Sequence, residues 1–179
     1  MIDYNQNLQI KLAKTNVSHA ELALNGAIPS LGLLSSTYGD ETPIEWLKIQ
    51  MGTLNDFAEV KNKMGKEQLD ELCQLILSEY YYLNAAEILF FIVRFKIGKY
   101  GQFFGTIDPI KITSALITYI RERRIDIERA ERDNYRKEQN ENINERLKNK
   151  ISSEKYLELK ARAASGDKEA IEMLKPPSK

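Results

Sequence analysis

Apolar residues recur along this chain at intervals of three and four over its middle stretch, and the pattern predicts a set of amphipathic helices. The first clear start is Thr42-Pro43-Ile44-Glu45. Here Thr42 is placed to cap, Pro43 suits the first helical position, and Glu45 stands where a capping box needs it. Leu47, Met51, Leu54 and Phe57 then mark one face, and the spacing predicts a helix to about Val60, weakened by Gly52. A break follows at Asn62 to Lys66. Leu69, Leu72, Cys73, Ile76, Leu77 and Tyr80 form the next stripe.

Asn84 is a second start: Glu87 completes its capping box, and Leu83 and Ile88 hold the two staple positions. The helix that follows, Ala85 to about Ile97, is apolar on most sides, which places it at the centre of a domain. Gly98 is set to end it in the left-handed conformation. Asp108-Pro109 starts a fourth helix with Ile112, Ala115, Leu116, Tyr119 and Ile120 as its buried face.

The two ends of the chain read differently. Residues 1–28 are polar, with a hint of a short helix at Ala20 to Ala27, and are expected to form a flexible arm. Residues 121–150 hold ten basic and eight acidic residues with no glycine or proline, so the fourth helix can continue as a charged extension. Such a helix is marginal alone in water. A spacer that docks onto a partner and simple disorder past Tyr135 both fit it. Ser152-Ser153 and Ser165-Gly166-Asp167 then predict a short helical hairpin bearing Tyr156, Leu157, Leu159, Ala170, Ile171 and Leu174. The expectation is an all-α fold: a core of three to four helices over 29–124, a charged helix over 125–150 and a hairpin tail over 151–179.

Composition narrows the function classes. Acidic and basic residues balance at 26 each, so no global field draws the chain to nucleic acid or anionic lipid. One cysteine, Cys73, excludes an intrachain disulfide framework and a thiolate zinc cluster, and its helical spacing among leucines reads as a buried thiol. One histidine, His19, excludes two-histidine metal sites, and in a mobile segment it is no catalytic base. Phosphate-loop, dinucleotide and nucleophile-elbow motifs do not occur, so neither catalysis nor a cofactor is expected. The first residues lack a signal-peptide pattern, and the most apolar run, Ile88 to Val93, is far too short for a membrane span. A cytoplasmic protein is expected.

The most distinctive local feature runs from Arg94 to Gly105. Arg94, Lys96 and Lys99 meet no acidic residue along the chain until Asp108, and Tyr100 and Phe103 interleave with them. With Arg121 and Arg124 on the next helix, this set could grip a phosphate backbone and stack bases, or bind a protein partner. Equally, the aromatics could pack on the core while the lysines stay in water.

Several stretches carry a family resemblance: Trp46-Leu47, Met64-Gly65, Leu75 to Tyr80, Leu83 to Ile88, Gly98-Lys99-Tyr100-Gly101, then Asp108, Ile112, Tyr119, Arg121 and Arg123. Over about residues 29–124 the chain is similar to a family of uncharacterised small helical proteins from gut bacteria and their phages and mobile elements. Pro109 stands where that family has a glycine. The family brings no activity with it. In architecture alone, a helical domain followed by a charged tail resembles phage replisome organisers and helicase loaders. The resemblance implies a non-enzymatic accessory or adaptor protein that binds nucleic acid or a replication protein such as a helicase. A virion component or an inhibitor of a host protein, with no nucleic-acid role, is the alternative.

Overall fold

The computed structural model describes residues 4–57, 63–101, 107–149 and 153–174. Among these the chain is all-α, with nine helices and no strand. It divides into two compact units, Met1–Glu131 and Arg132–Lys179.

The first unit begins with α1 (Gln6–Lys14), α2 (His19–Ala23) and α3 (Leu31–Tyr38). Each has a side-chain cap. Asn5 accepts from the Asn7 N–H, Ser18 and Glu21 form a reciprocal capping box, and Ser30 accepts from the Leu33 N–H. Residues 4–28, expected as a flexible arm, are instead packed: Leu12 and Leu22 are buried in the core. Two polar ties hold the first of them, Gln9 Nε2 to Gln50 Oε1 at 3.0 Å and Trp46 Nε1 to the Tyr4 carbonyl at 2.9 Å. Both partners lie in α4 (Glu41–Phe57), so the docking depends on tertiary contacts that local polarity conceals.

The start of α4 also departs from expectation. Thr42 lies inside the helix and returns its hydroxyl to the Tyr38 carbonyl at 3.2 Å, while the Ile44 N–H bonds the Asp40 carbonyl at 3.2 Å. Gly39, at φ 84°, redirects the chain between α3 and α4. Of the expected face, Leu47, Met51 and Leu54 are buried and Phe57 is exposed.

After α4 come α5 (Lys66–Tyr80) and α6 (Ala85–Lys96). In α5 the expected stripe turns Leu72, Cys73 and Ile76 into the core. The Asn84–Glu87 box at the head of α6 is formed as read from the sequence. Asn84 does more, donating through Nδ2 to the Leu22 carbonyl at 2.7 Å and so fastening α2 to the head of α6. Ten of the twelve residues of α6 are buried, which leaves only Arg94 and Lys96 to reach outward. Helices α1, α2 and α4 pack on it. Gly98, at φ 77°, lets the chain turn away at its end. The first turn of α3 is bonded to the turn before α6, where the Gly32 N–H meets the Tyr81 carbonyl at 2.7 Å. A Cβ on Gly32 would stand 3.3 Å from that oxygen, so only glycine fits without a shift.

Helix α7 (Pro109–Asn149) starts behind Asp108, whose carboxylate accepts from the Lys111 N–H at 2.9 Å. Ile112, Ala115, Leu116 and Tyr119 are buried in the first unit. From Glu131 to Leu147 every residue of α7 is exposed. In the second unit, α8 (Ser153–Ala164) packs on α9 (Lys168–Met173), burying Leu159 and Ala170. Gly166, at φ 93°, makes the turn, Asp167 caps α9, and Arg162 clasps Asp167 at 2.6 Å.

Candidate binding site

Arg94 and Lys96 stand two apart on α6 and therefore leave the helix on different sides. Arg94 turns to α7, donating from Nη2 to Glu122 Oε2 at 2.8 Å and from Nε to the Tyr100 hydroxyl at 3.2 Å. Its guanidinium lies 5.2 Å over the Phe90 ring. Tyr100 stacks on Phe91 with centroids 5.7 Å apart, and burial pushes its hydroxyl up to about 12. Nearer the head of α6, the fully buried Glu87 accepts from the Asn84 N–H at 3.1 Å and from Arg123 Nε at 2.5 Å. Arg123 lies 5.5 Å over Tyr82. These pairs make a polar seam between α6 and α7 in which the one fully buried carboxylate is satisfied.

Lys96 goes elsewhere. Its ammonium donates to Gln9 Oε1 at 3.0 Å and to Thr53 Oγ1 at 2.9 Å, and lies 5.7 Å over Phe57. Burial lowers its pKa. Lys99, Arg121 and Arg124 are exposed, and Arg124 has Glu128 one turn on at 3.8 Å. Phe103 lies outside the described residues. The structure thus brings Arg94, Lys99 and Tyr100 to one region and sets Lys96 apart from them. The acidic partner of Arg94 comes from 28 residues away, which a reading along the chain missed.

A cavity of about 460 Å³ opens beside this seam, lined by the turn before α2 and by His19, Arg94, Lys99, Glu122, Ile125 and Asp126. His19 is the first residue of α2 and is only 3% exposed, far from the mobile position expected for it. Its ring meets Tyr119 at 4.7 Å and the edge of Phe90 at 5.4 Å. Nε2 stands 3.5 Å from Glu122 Oε2, and neither ring nitrogen has a hydrogen bond. A buried polar group left in that state costs about 1–3 kcal/mol. Burial and then Arg94 lower its pKa, outweighing Asp126 and Glu122, so the ring is neutral at pH 7, with one donor and one acceptor. The Ser18-x-x-Glu21 spacing, a capping box that the reading along the chain passed over, is the sequence signal that could have placed His19 at a helix start.

Among the described residues no group of histidine, cysteine or carboxylate side chains could hold a metal ion. The buried Cys73 thiol is pushed up to about 12 by burial and is not nucleophilic at neutral pH. No helix among the described residues is long and apolar enough to cross a membrane.

Residues 63–166, more than half of the chain, match the model of a family of unknown function, DUF6633, and the chain belongs to that family. The match begins after α4 and runs through α5, α6, all of α7 and α8. No curated protein and no solved structure matches the chain.

Proposed function

We propose that this family member is a non-enzymatic accessory protein that acts by binding, with the first unit as its folded body and residues 132–149 of α7 as the surface for a protein partner. One observation carries the reading. Along a stretch that the family match spans throughout, every residue from Glu131 to Leu147 is exposed, and the apolar Tyr135, Ile143 and Leu147 are 62%, 50% and 60% exposed. A helix exposed all round leaves the apolar Tyr135, Ile143 and Leu147 available to another chain. Residues 132–149 carry five basic and four acidic side chains, a balance that suits a protein rather than a phosphate backbone. In the phage or mobile-element setting that the family resemblance implies, a replication protein such as a helicase is the partner we favour, in the cytoplasm.

Nucleic acid is the second reading, and the side chains weaken it. Arg94 and Lys96 are engaged within the chain, which leaves Lys99, Arg121 and Arg124 to meet phosphates. Fluorescence anisotropy with labelled single- and double-stranded DNA across a salt series separates the two. The protein-partner reading expects no micromolar binding even at about 50 mM salt, where phosphate contacts are strong. Micromolar binding that weakens steeply with salt and is lost in Lys99→Glu/Arg121→Glu/Arg124→Glu would replace it with the nucleic-acid reading.

A further inference from the structure

We propose that residues 132–147 of α7 take an acidic amphipathic helix of a partner protein, an element with Leu or Ile at helical spacing flanked by Asp and Glu. The inference rests on the partner-binding role proposed above and names the chemistry that fits it. At about 100° per residue, Tyr135, Ile143 and Leu147 share one face of α7 with Arg132, Arg136 and Arg146, all within an arc of about 120°. No acidic side chain of 132–147 falls in that arc. Glu138, Glu141 and Glu145 gather on the opposite face, where no basic side chain of the stretch stands. Asp133 and Lys137 lie between the two faces. All of these side chains are exposed. A near-balance of charge along the stretch thus conceals one basic, apolar face and one acidic face.

This sorting does nothing for the helix by itself. Arg132 and Arg136 are four apart, as are Glu141 and Glu145, and like charges at that spacing weaken an isolated helix. Among the described residues the ion pairs of α7 end at Arg129, and none reaches Arg132, Arg136 or Arg146. Three guanidinium groups and three apolar side chains therefore stand outward together. A surface of opposite charge with its own apolar stripe complements them.

The spacing selects a helix as that surface. Tyr135, Gln139, Ile143 and Leu147 follow one another at four-residue steps, a ridge about 18 Å long of the kind that packs into the groove of a neighbouring helix. Other occupants fit less well. A second copy laid antiparallel about the middle of the stretch sets Arg132 against Arg146, and a parallel copy sets each arginine against its own counterpart. On a membrane, Arg132 and Arg136 flank Ile143 in the middle of the face, where an interfacial helix buries apolar side chains. A phosphate backbone meets the arginines and leaves the apolar ridge unused.

The test measures binding of the full chain to a fluorescein-labelled helical peptide with Leu at heptad positions a and d and Glu at e and g, which disfavour its self-pairing. Anisotropy is read at about 50 mM salt, where charge contacts are little screened. The same peptide with Lys for Glu, and a scrambled peptide of the same composition, are the controls. The acidic peptide is expected to bind saturably and at least about tenfold more tightly than either control. Arg132→Glu/Arg136→Glu/Arg146→Glu is expected to weaken it by at least about tenfold, with the thermal melt of the native chain. No saturable binding, equal binding of either control, or an arginine variant that binds as the native chain does would overturn the proposal. An arginine-dependent affinity for single-stranded DNA or for anionic vesicles that matches the peptide's would overturn it too, as would arginine-dependent self-association in light scattering. A photo-crosslinker at Ile143 in cells keeps the two levels apart. If the peptide fails while Ile143 still crosslinks to a protein, the acidic-helix inference falls and the partner surface stands; if both fail, both fall.

Discussion

Helix α6 and residues 132–149 of α7 are both helical stretches without an internal glycine or proline, and they share almost nothing else. In α6 ten of twelve residues are buried, each large apolar side chain contributing about 1.5–3 kcal/mol by leaving water. In 132–149 every residue through Leu147 is exposed, and local charge spacing contributes only tenths of a kcal/mol per pair. The first helix is secured by what surrounds it. The second is held weakly from within and leaves its side chains, through Leu147, in solvent. Helical content is the same in both, so their stabilities divide by burial.

Truncation in each helix should break the comparison most sharply at Phe91, which is fully buried and packs on Phe95, Tyr100 and Tyr119. Phe91→Ala is expected to cost about 3–5 kcal/mol in urea denaturation, through lost transfer energy and the cavity left behind. Next comes Arg123→Ala, which strands the buried Glu87 carboxylate and is expected to cost about 2–3 kcal/mol.

A smaller effect should follow pH through His19. Its folded pKa lies below the ordinary 6.5, so the folded chain binds fewer protons than the unfolded chain as pH falls through that range. The stabilisation is complete above about pH 6.5 and is lost on acidification. The melting temperature is expected to fall between pH 7.5 and 5.5, and to fall less in His19→Gln. Asp70 and Asp167, whose pKa values are held low by Lys48 and Arg162, act in a more acidic window. The smallest effect is expected in the exposed helix, where Ile143→Ala should change stability by no more than about 0.5 kcal/mol. A cost near that of Phe91→Ala would show that the helix buries a face after all.

What could be read in the sequence was whatever is local. The Asn84–Glu87 box, the stripe of α5, the apolar α6 and the Asp108-Pro109 start all depend on residues within a turn or two. Helices α1 to α3 were largely hidden because each is short and docks through distant partners: Gln9 on Gln50, Leu31 on the Leu83 carbonyl, and the Leu22 carbonyl on Asn84. The candidate site was read in part for the same reason. Arg94, Lys99 and Tyr100 stood out by spacing, but His19 and Glu122 come from 75 residues before and 28 after Arg94. Lys96 looked equivalent to its neighbours until Gln9 and Thr53, far off along the chain, claimed its ammonium.

The most direct test of the account places a photo-crosslinking amino acid at Tyr135 or Leu147 of the full chain in cells that produce it. The exposed Lys63 on the first unit serves as the control position. The expected result is a discrete protein adduct from both positions on the charged helix and none from Lys63. No adduct from either helix position, or the same adducts from all three, would contradict a partner surface on residues 132–149.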